Sequence, residues 1–500
     1  MGRRRGTVSG PTERVVIIGA GLGGLSAALR LTGAGRSVRV LESGTEPGGL
    51  MGRWESGGYR FDTGPTVLTM PGLIDDALAC VGETRSDWLD LVELVPSYRA
   101  QFADSSVLRS FADTSQMADE VARVCGANEA RNYRRLVDYL TALYRAEFDT
   151  FMDRNLDSVT DLIRPEAITL LRLGGLRGLD RMVGRYLSDD RLRRLFTFQS
   201  MYAGLAPARA RALYGVIAYL DSVSGVWFPR GGMHQVALAL AGAGEKHGTQ
   251  ISYQTRATSV EFTAGRASAV ITDAGERIPA DVVIVNSDLQ AAYRELLPAG
   301  LRPWQARRPR HSPSAFVWHV GSAGALADPA HHSISFGTAW STTFDEIINQ
   351  GRLMSDPSLL ITCPTVTDPT LAPAGRHTYY VLAPAPNTCI AEIDWPRIGP
   401  RYVEEIFRVL TERGFDAEGA FSSGVQASRF VSPADWQSQG LGAGSPFALA
   451  HTVMQTGPLR HPTQHPAVDN LLFCGAGVQP GVGIPTVLLS GRLAALRVTG

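Results

Sequence analysis

Lysine is almost missing from this 500-residue chain: Lys246 is the only one among the 48 Lys and Arg side chains, a bias that reads as the codon usage of a GC-rich genome and carries no mechanism. Net charge is missing as well. The 48 acidic residues balance the basic ones, so no global field points to nucleic acid or to an acidic partner. Cysteine is sparse. Cys80, Cys125, Cys363, Cys389 and Cys474 are odd in number and form no C-x-x-C, which argues against a disulfide framework and a zinc site and fits a reducing cytoplasm. The basic start Met1-Gly2-Arg3-Arg4-Arg5-Gly6 has no apolar run behind it before Val15, so no secretion signal is expected, and Gly6 stands where a myristoylation motif needs Ser or Thr. One uncharged stretch, 471–491, is long enough to cross a bilayer. It is broken by Gly475, Gly477, Pro480, Gly481, Gly483 and Pro485, and reads as strand, glycine-rich turn and helix. No internal repeat or low-complexity segment is present.

What the chain does have begins at Val15-Val16-Ile17-Ile18-Gly19-Ala20-Gly21-Leu22-Gly23-Gly24-Leu25. Four apolar residues form a short buried strand, and Gly19, Gly21 and Gly24 let the backbone turn tightly and approach a diphosphate. The helix that starts near Leu22 points its positive end at the same place. Leu25, Ala28, Leu29 and Thr32 keep helical spacing, Gly33 and Gly35 end the helix, and Val38 to Leu41 reads as a second strand. Glu42 closes that strand roughly 20 residues after the turn, where an acid accepts hydrogen bonds from the adenosine ribose. The pattern predicts a dinucleotide site.

The residues after Glu42 choose between nicotinamide and flavin. Gly48-Gly49, Gly52-Arg53-Trp54 and Phe61-Asp62-Thr63-Gly64-Pro65 resemble the flavoprotein superfamily of amine oxidases and carotenoid desaturases. In that superfamily a Gly-Gly pair follows the second strand and a Phe-Asp-x-Gly-Pro segment passes beside the flavin. No further βα repeat of the nicotinamide type follows, so FAD is expected.

Further along, Tyr98 to Ala103 and Val107 to Phe111 read as a hairpin, and helices fill most of 114–224. Within them, 163–196 mixes leucines with Arg164, Arg172, Arg177, Arg181, Arg185, Arg191, Arg193 and Arg194, equally suited to an anionic lipid surface or to a solvated helix face. Helix from His234, strands from Gln250 and at Asp281 to Asn286, and a linker over 303–313 follow. The Leu471-Leu472-Phe473-Cys474 strand returns to the first sheet. An α/β fold results: a Rossmann-like dinucleotide domain (12–75, 226–302, 465–500) interleaved with an α+β substrate domain (76–225, 303–464) carrying a helical, membrane-facing part.

Taken in order, Gly225-Val226-Trp227-Phe228-Pro229-Arg230-Gly231-Gly232, His331-His332-Ser333-Ile334, Pro364-Thr365-Val366-Thr367-Asp368-Pro369 and Gly475-Ala476-Gly477 with Pro480-Gly481-Val482-Gly483-Ile484-Pro485 resemble the bacterial-type phytoene desaturases over nearly the whole chain. The resemblance implies noncovalent FAD, since no His or Cys stands in a flavin-linking motif. It implies cofactor contacts at Gly49, Gly64, Ala257, Gly475, Gly483 and Ile484 beside the glycine turn, and no metal. It also implies phytoene or a related carotenoid as substrate and oxygen or a quinone as electron acceptor; a water-insoluble substrate and the basic stretch 163–196 together predict a peripheral position on the membrane. Asp161 matches an acid proposed to act near the flavin, although a helix cap is the plainer role for a single Asp. Three positions depart from the pattern. Leu50 stands in place of a basic residue after Gly48-Gly49, and Arg53, three residues on in an extended segment, would face the other way. Gln479 replaces a His, and Thr160 replaces the Arg before Asp161. The adjacent His331 and His332 lack the spacing of a helical metal site and read as structural. Alternatives are an enzyme acting on another polyene (a hydroxycarotenoid desaturase, a carotenoid oxidase or a retinol saturase-like enzyme) and, in another class, a flavin-free prenyl-chain carrier of the same fold. The intact glycines and Glu42 weigh against the carrier.

Overall fold

Val15 to Ile18 are buried on both sides because they form the middle strand of a parallel sheet covered on both faces. A computed structural model describes residues 6–500; Met1 to Arg5, including the basic start discussed above, lie outside the described residues. The sheet has five parallel strands in the order Leu471–Phe473, Val282–Val285, Arg14–Ile18, Ser37–Leu41 and Gln250–Ser252. On one face lie three helices, Leu22–Gly33, His234–Lys246 and Ile484–Thr499, with Leu22–Gly33 packed between the other two. On the other face, Val16, Ile18, Val283 and Val285 share a core with Ala257, Val260 and Val270 of an antiparallel three-stranded sheet.

A second, seven-stranded sheet runs Val425–Val431, Ser314–Ser322, His377–Ala385, Leu359–Thr362, His332–Ser335, Tyr98–Gln101 and Val107–Ser110. Among the described residues its one parallel pair joins Tyr98–Gln101 to His332–Ser335, so the early hairpin becomes the edge of a sheet otherwise built from residues beyond 313. Strand alternation divides its side chains. Tyr379 and Val381 pack with Ile406 and Leu410 of the amphipathic helix Trp395–Glu412, whereas Tyr380 and Leu382 face an internal cavity. The helical region contributes Glu147, Phe151, Phe198, Ile217 and Leu220 to the cavity wall, and its longest helix, Ala127–Glu147, buries Tyr133, Leu136, Leu140 and Leu143.

Two details differ from the sequence expectation. The 303–313 connection contains a single helical turn, Trp304–Arg307. The strand from Gln250, expected from the sequence to include Tyr253 ahead of Ala257, ends at Ser252, and Ala257 opens a strand of its own, Ala257–Thr263, in the neighbouring sheet. Residues 471–491 fold as strand, turn and helix, and among the described residues no helix is long and apolar enough to cross a membrane.

Candidate functional site

The glycine turn and the end of the second strand are tied together before any ligand is considered. Glu42 accepts hydrogen bonds from the backbone N–H groups of Ala20 at 2.8 Å and Gly44 at 2.7 Å, which fixes its carboxylate over the turn. Gly19 has φ +102°, a left-handed conformation that glycine adopts freely. Gly24 serves a different end. Its missing side chain lets the helix press onto Gly19, whose carbonyl oxygen occupies the space a Cβ would need. Gly21 bridges to Gly48, and Gly48 and Gly49 both have positive φ, so the loop after the second strand lies flat beside the turn. Gly64 likewise lies against the Leu50 carbonyl, with no room for a Cβ.

These segments form one end of a cavity of about 1020 Å³. Of the sequence-derived positions, Gly19, Gly21, Glu42, Gly49, Gly64, Ala257, Gly475, Gly483 and Ile484 all line it. Gly24 does not; it supports the turn from behind. Leu50 lines the cavity and Arg53 turns away to pair with Glu46 at 2.5 Å, so Arg53 does not replace the missing basic residue beside the Gly48-Gly49 pair. Gly483, with φ +115°, precedes the helix Ile484–Thr499 and aims its N-terminus into the same space. The cradle of missing side chains, the placed carboxylate and the helix end together fit a dinucleotide.

Asp161 stands apart from this wall. Its carboxylate accepts from the backbone N–H groups of Asp157 and Ser158 at 2.8 and 2.9 Å, closing a capping box on the short turn Val159–Leu162, and it is not part of the cavity wall. Hydrogen bonding within the turn uses the carboxylate locally. His331 and His332 are buried against Thr367 and Thr362 at 2.7 and 3.0 Å, and burial pulls His332 down to about 3, so both rings are neutral structural groups. Gln479 is buried on the cavity wall. Its amide donates to the carbonyls of Leu156 and Gly457 at 2.8 and 3.0 Å, joining the helical region to the second glycine turn.

Several site residues escape sequence reasoning. Asn286, at the end of the Val282–Val285 strand, donates to Gly19 O at 3.1 Å and lines the cavity. Its position, closing a buried strand parallel to the first, was the available signal. Arg460 is fully buried and donates to the carbonyls of Ala476 and Val478 at 2.6 and 2.9 Å, bracing the second turn; nothing in its local sequence marks it. Asp221 and Glu147 are buried carboxyls on the cavity wall, far apart in sequence.

Beyond the glycine end the wall becomes apolar. Phe198, Ile217, Phe336, Trp340, Leu360 and Leu382 come from helices on one side and the large sheet on the other. At one border, Leu170 of the helix Pro165–Arg172 faces inward, while Ile168 and Leu171 of the same helix are exposed, as is Ile163 at 81%. Val453 and Met454 are exposed as well, in a short turn followed by Thr456 and Gly457, which line the cavity. Arg164, Arg172, Arg177, Arg181 and Arg185 are exposed along this segment. Arg191, Arg193 and Arg194 instead pair with Asp189, Asp180 and Asp190, which narrows the basic surface expected from the sequence to its first part.

Residues 22–499 match the family model described as flavin containing amine oxidoreductase. The chain is 50% identical over 496 residues to a phytoene dehydrogenase of Streptomyces griseus, covering 99% of this chain and 96% of that one. It is 34% identical to a zeta-carotene-forming phytoene desaturase of Myxococcus xanthus, over 97% of this chain and 94% of the relative. Among solved structures, an oxidoreductase from Methanosarcina mazei superposes with a TM-score of 0.64 at 16% identity, over 96% of this chain and 98% of that one, a likeness of fold.

Proposed function

Since this chain belongs to the flavin-containing amine oxidoreductases and, within them, to the phytoene desaturases, we propose that it binds FAD noncovalently and dehydrogenates phytoene or a closely related polyene. The observation that carries this proposal is continuity: the glycine-lined end and the apolar chamber are one cavity, so a dinucleotide and a hydrocarbon chain meet without leaving the protein. The division of labour is a dinucleotide domain over 12–75, 226–302 and 465–500 and a substrate domain over 76–225 and 303–464.

Each part has a job. Gly21 and Gly49 offer backbone N–H groups to the diphosphate, Gly19, whose own N–H donates to Leu41 O at 2.8 Å, shapes the turn beside it, Gly24 holds the turn from behind and Glu42 receives the ribose hydroxyls. Ala257 borders the adenine, and Gly64, Gly475, Gly483 and Ile484 border the ring system, with the helix end stabilising negative charge there. Bound flavin supplies the hydride acceptor for oxidation of a CH–CH unit. The chamber walls do the rest. A substrate with no group to ionise is held only by shape and apolar contact, so Phe198, Phe336, Trp340 and Leu360 position it and exclude water.

A hydrocarbon of this kind partitions into lipid, and the exposed Ile163, Ile168 and Leu171 beside Leu170 give the chamber an apolar rim flanked by arginines. We place that rim against the membrane surface, where the substrate enters, and assign oxygen or a quinone as the electron acceptor. Flotation with anionic liposomes tests the docking: binding falls as salt is raised, since the Debye length is about 10 Å at 0.1 M, and falls further in an Ile163→Ser, Ile168→Ser, Leu171→Ser variant. Equal indifference to anionic and neutral vesicles at low salt refutes it. Anaerobic mixing of the flavin-loaded enzyme with phytoene liposomes tests the reaction. The oxidised flavin band bleaches and returns on admitting oxygen or a quinone. If phytoene leaves the flavin unchanged while a hydroxylated or partly desaturated carotenoid bleaches it, the substrate assignment moves to that class.

A further inference from the structure

Oxidation of a CH–CH unit releases a hydride from one carbon and a proton from its neighbour, and Asp161, the acid suggested by sequence, is outside the cavity. Two other carboxyls are inside it. Asp221 and Glu147 are 3% and 6% exposed, line the same cavity, and each adjoins or belongs to a short π-helical turn, Leu220–Ser224 and Phe148–Met152. Such turns are costly irregularities in a helix and recur at functional sites. The two carboxyls differ in their partners. Glu147 Oε2 has no hydrogen-bond partner among the described residues, and burial raises its carboxyl well above the ordinary range, so it rests as the neutral acid. Asp221 Oδ2 accepts from the Tyr98 hydroxyl at 3.2 Å, a donor that favours the anion.

Resting on the flavin-dependent dehydrogenation put forward above, we propose that Asp221 is the proton acceptor of the reaction and that Tyr98 is its positioning residue. As a C–H hydride passes to the bound flavin, the neighbouring carbon loses its proton to an Asp221 carboxylate oxygen, and the C–H electron pair becomes the new C=C bond. The flavin is reduced by two electrons, the substrate is oxidised by two, and the proton stays on the carboxyl until it exchanges with water.

The surroundings suit this role. Burial pushes Asp221 up to about 7 against the hydrogen bond from Tyr98, so near neutral pH the group is divided between base and acid, as an efficient general base requires. The groups facing it are few. Tyr98 comes from the Tyr98–Gln101 strand, and Tyr202 from the Phe198–Ala203 turn; both hydroxyls are held neutral by burial. Behind Tyr98 stands His332, its ring 5.5 Å away and also neutral. The hydrogen bond to Asp221 is the one from Tyr98, and no ion pair to Asp221 occurs among the described residues. Glu147 and Asp221 thus divide in the manner of an acid-base pair whose environments separate them, with Asp221 the member able to ionise.

The test is flavin reduction under anaerobic mixing with phytoene liposomes, followed against pH, together with infrared titration of buried carboxyls in the flavin-loaded protein. In the wild type the reduction rate rises with pH through about 7 and levels off, and a carboxyl band disappears over the same interval. Asp221→Asn slows reduction by about 10²–10⁴-fold, abolishes the pH step and removes that band while the flavin spectrum stays normal. Asp221→Glu restores part of the rate. Tyr98→Phe shifts both the kinetic step and the infrared titration to higher pH. An Asp221→Asn enzyme with the wild-type pH profile overturns the proposal, as does an unchanged infrared titration. A wild type whose flavin phytoene does not reduce refutes the substrate assignment instead. If Asp221→Asn fails to fold, Tyr98→Phe decides, because an unmoved pH step in that variant also overturns the proposal.

Discussion

Glu42 holds the Ala20 N–H at 2.8 Å, so the acid that closes the second strand also braces the turn that closes the first. The same carboxylate takes Gly44 N–H through its other oxygen. Removing it therefore harms the turn as well as the ligand. Glu42→Ala leaves two backbone donors without their partner, at about 1–3 kcal/mol for a buried group. The expected outcome is loss of flavin absorbance together with a lowered denaturation midpoint. Glu42→Gln, which keeps an acceptor, retains more stability than Glu42→Ala.

Gly21 and Gly24 separate binding from folding. Gly21 has φ −71°, open to any residue, and a Cβ there meets only the Asn286 amide end and, farther off, Gly48 O. Gly21→Val should purify as a folded, colourless protein. At Gly24 a Cβ runs into the Gly19 carbonyl, a backbone atom that cannot rotate away. Gly24→Ala should lower stability by about 1–3 kcal/mol, seen by chemical denaturation of the apoprotein. Equal stability of the two variants would contradict the assignment.

Asp161→Asn should leave flavin reduction by substrate at the wild-type rate. The carboxylate accepts from Asp157 and Ser158 N–H and does not line the cavity. Loss of the charged cap costs about 1 kcal/mol, visible as faster proteolysis within 157–164. A large loss of rate with the fold intact would return Asp161 to the chemistry.

Asp62 makes the stability depend on pH. Burial pushes its carboxyl up to about 6, with the Met233 and His234 N–H groups opposing. A carboxyl raised in the native state favours the protonated form. Its contribution is therefore fully present below about pH 4, the unfolded value, and is lost as pH rises through about 6. Relative to Asp62→Asn, the wild type should lose on the order of 3 kcal/mol between pH 4 and 7. Denaturant titrations of both proteins across that range measure it, and a constant difference would exclude the raised carboxyl.

The glycine-turn half of the site was legible because its chemistry is local. Gly19, Gly21, Gly24 and Glu42 lie within one strand-turn-helix-strand unit, so spacing alone placed them. Asn286, Arg460, Asp221 and Glu147 are brought in by long-range packing. Asn286 reaches Gly19 only because its strand pairs with the first, and Asp221 meets Tyr98 across 123 positions of sequence. Asp161 drew notice for the opposite reason: a motif match identifies a residue type, whereas the neighbouring N–H groups determined what its carboxylate does. The exposed Ile163, Ile168 and Leu171 could be read as helix content but not as a rim, since their relation to Leu170 depends on which side of the helix the cavity occupies.

The nucleotide sheet begins with Arg14–Ile18 and is finished by Leu471–Phe473, with Ile484–Thr499 packed onto Leu22–Gly33. During synthesis the Arg14–Ile18 strand and its helix thus wait, with one flank of that helix bare, for a partner made more than four hundred residues later. At about 5–20 residues per second, that interval is tens of seconds. The residues made in between must collapse beside an unfinished neighbour, and the glycine-lined end of the cavity closes only when Ile484–Thr499 docks. Holoenzyme assembly is therefore a late event, and a chain cut short anywhere before residue 471 would carry the fingerprint of a nucleotide site without the fold to use it.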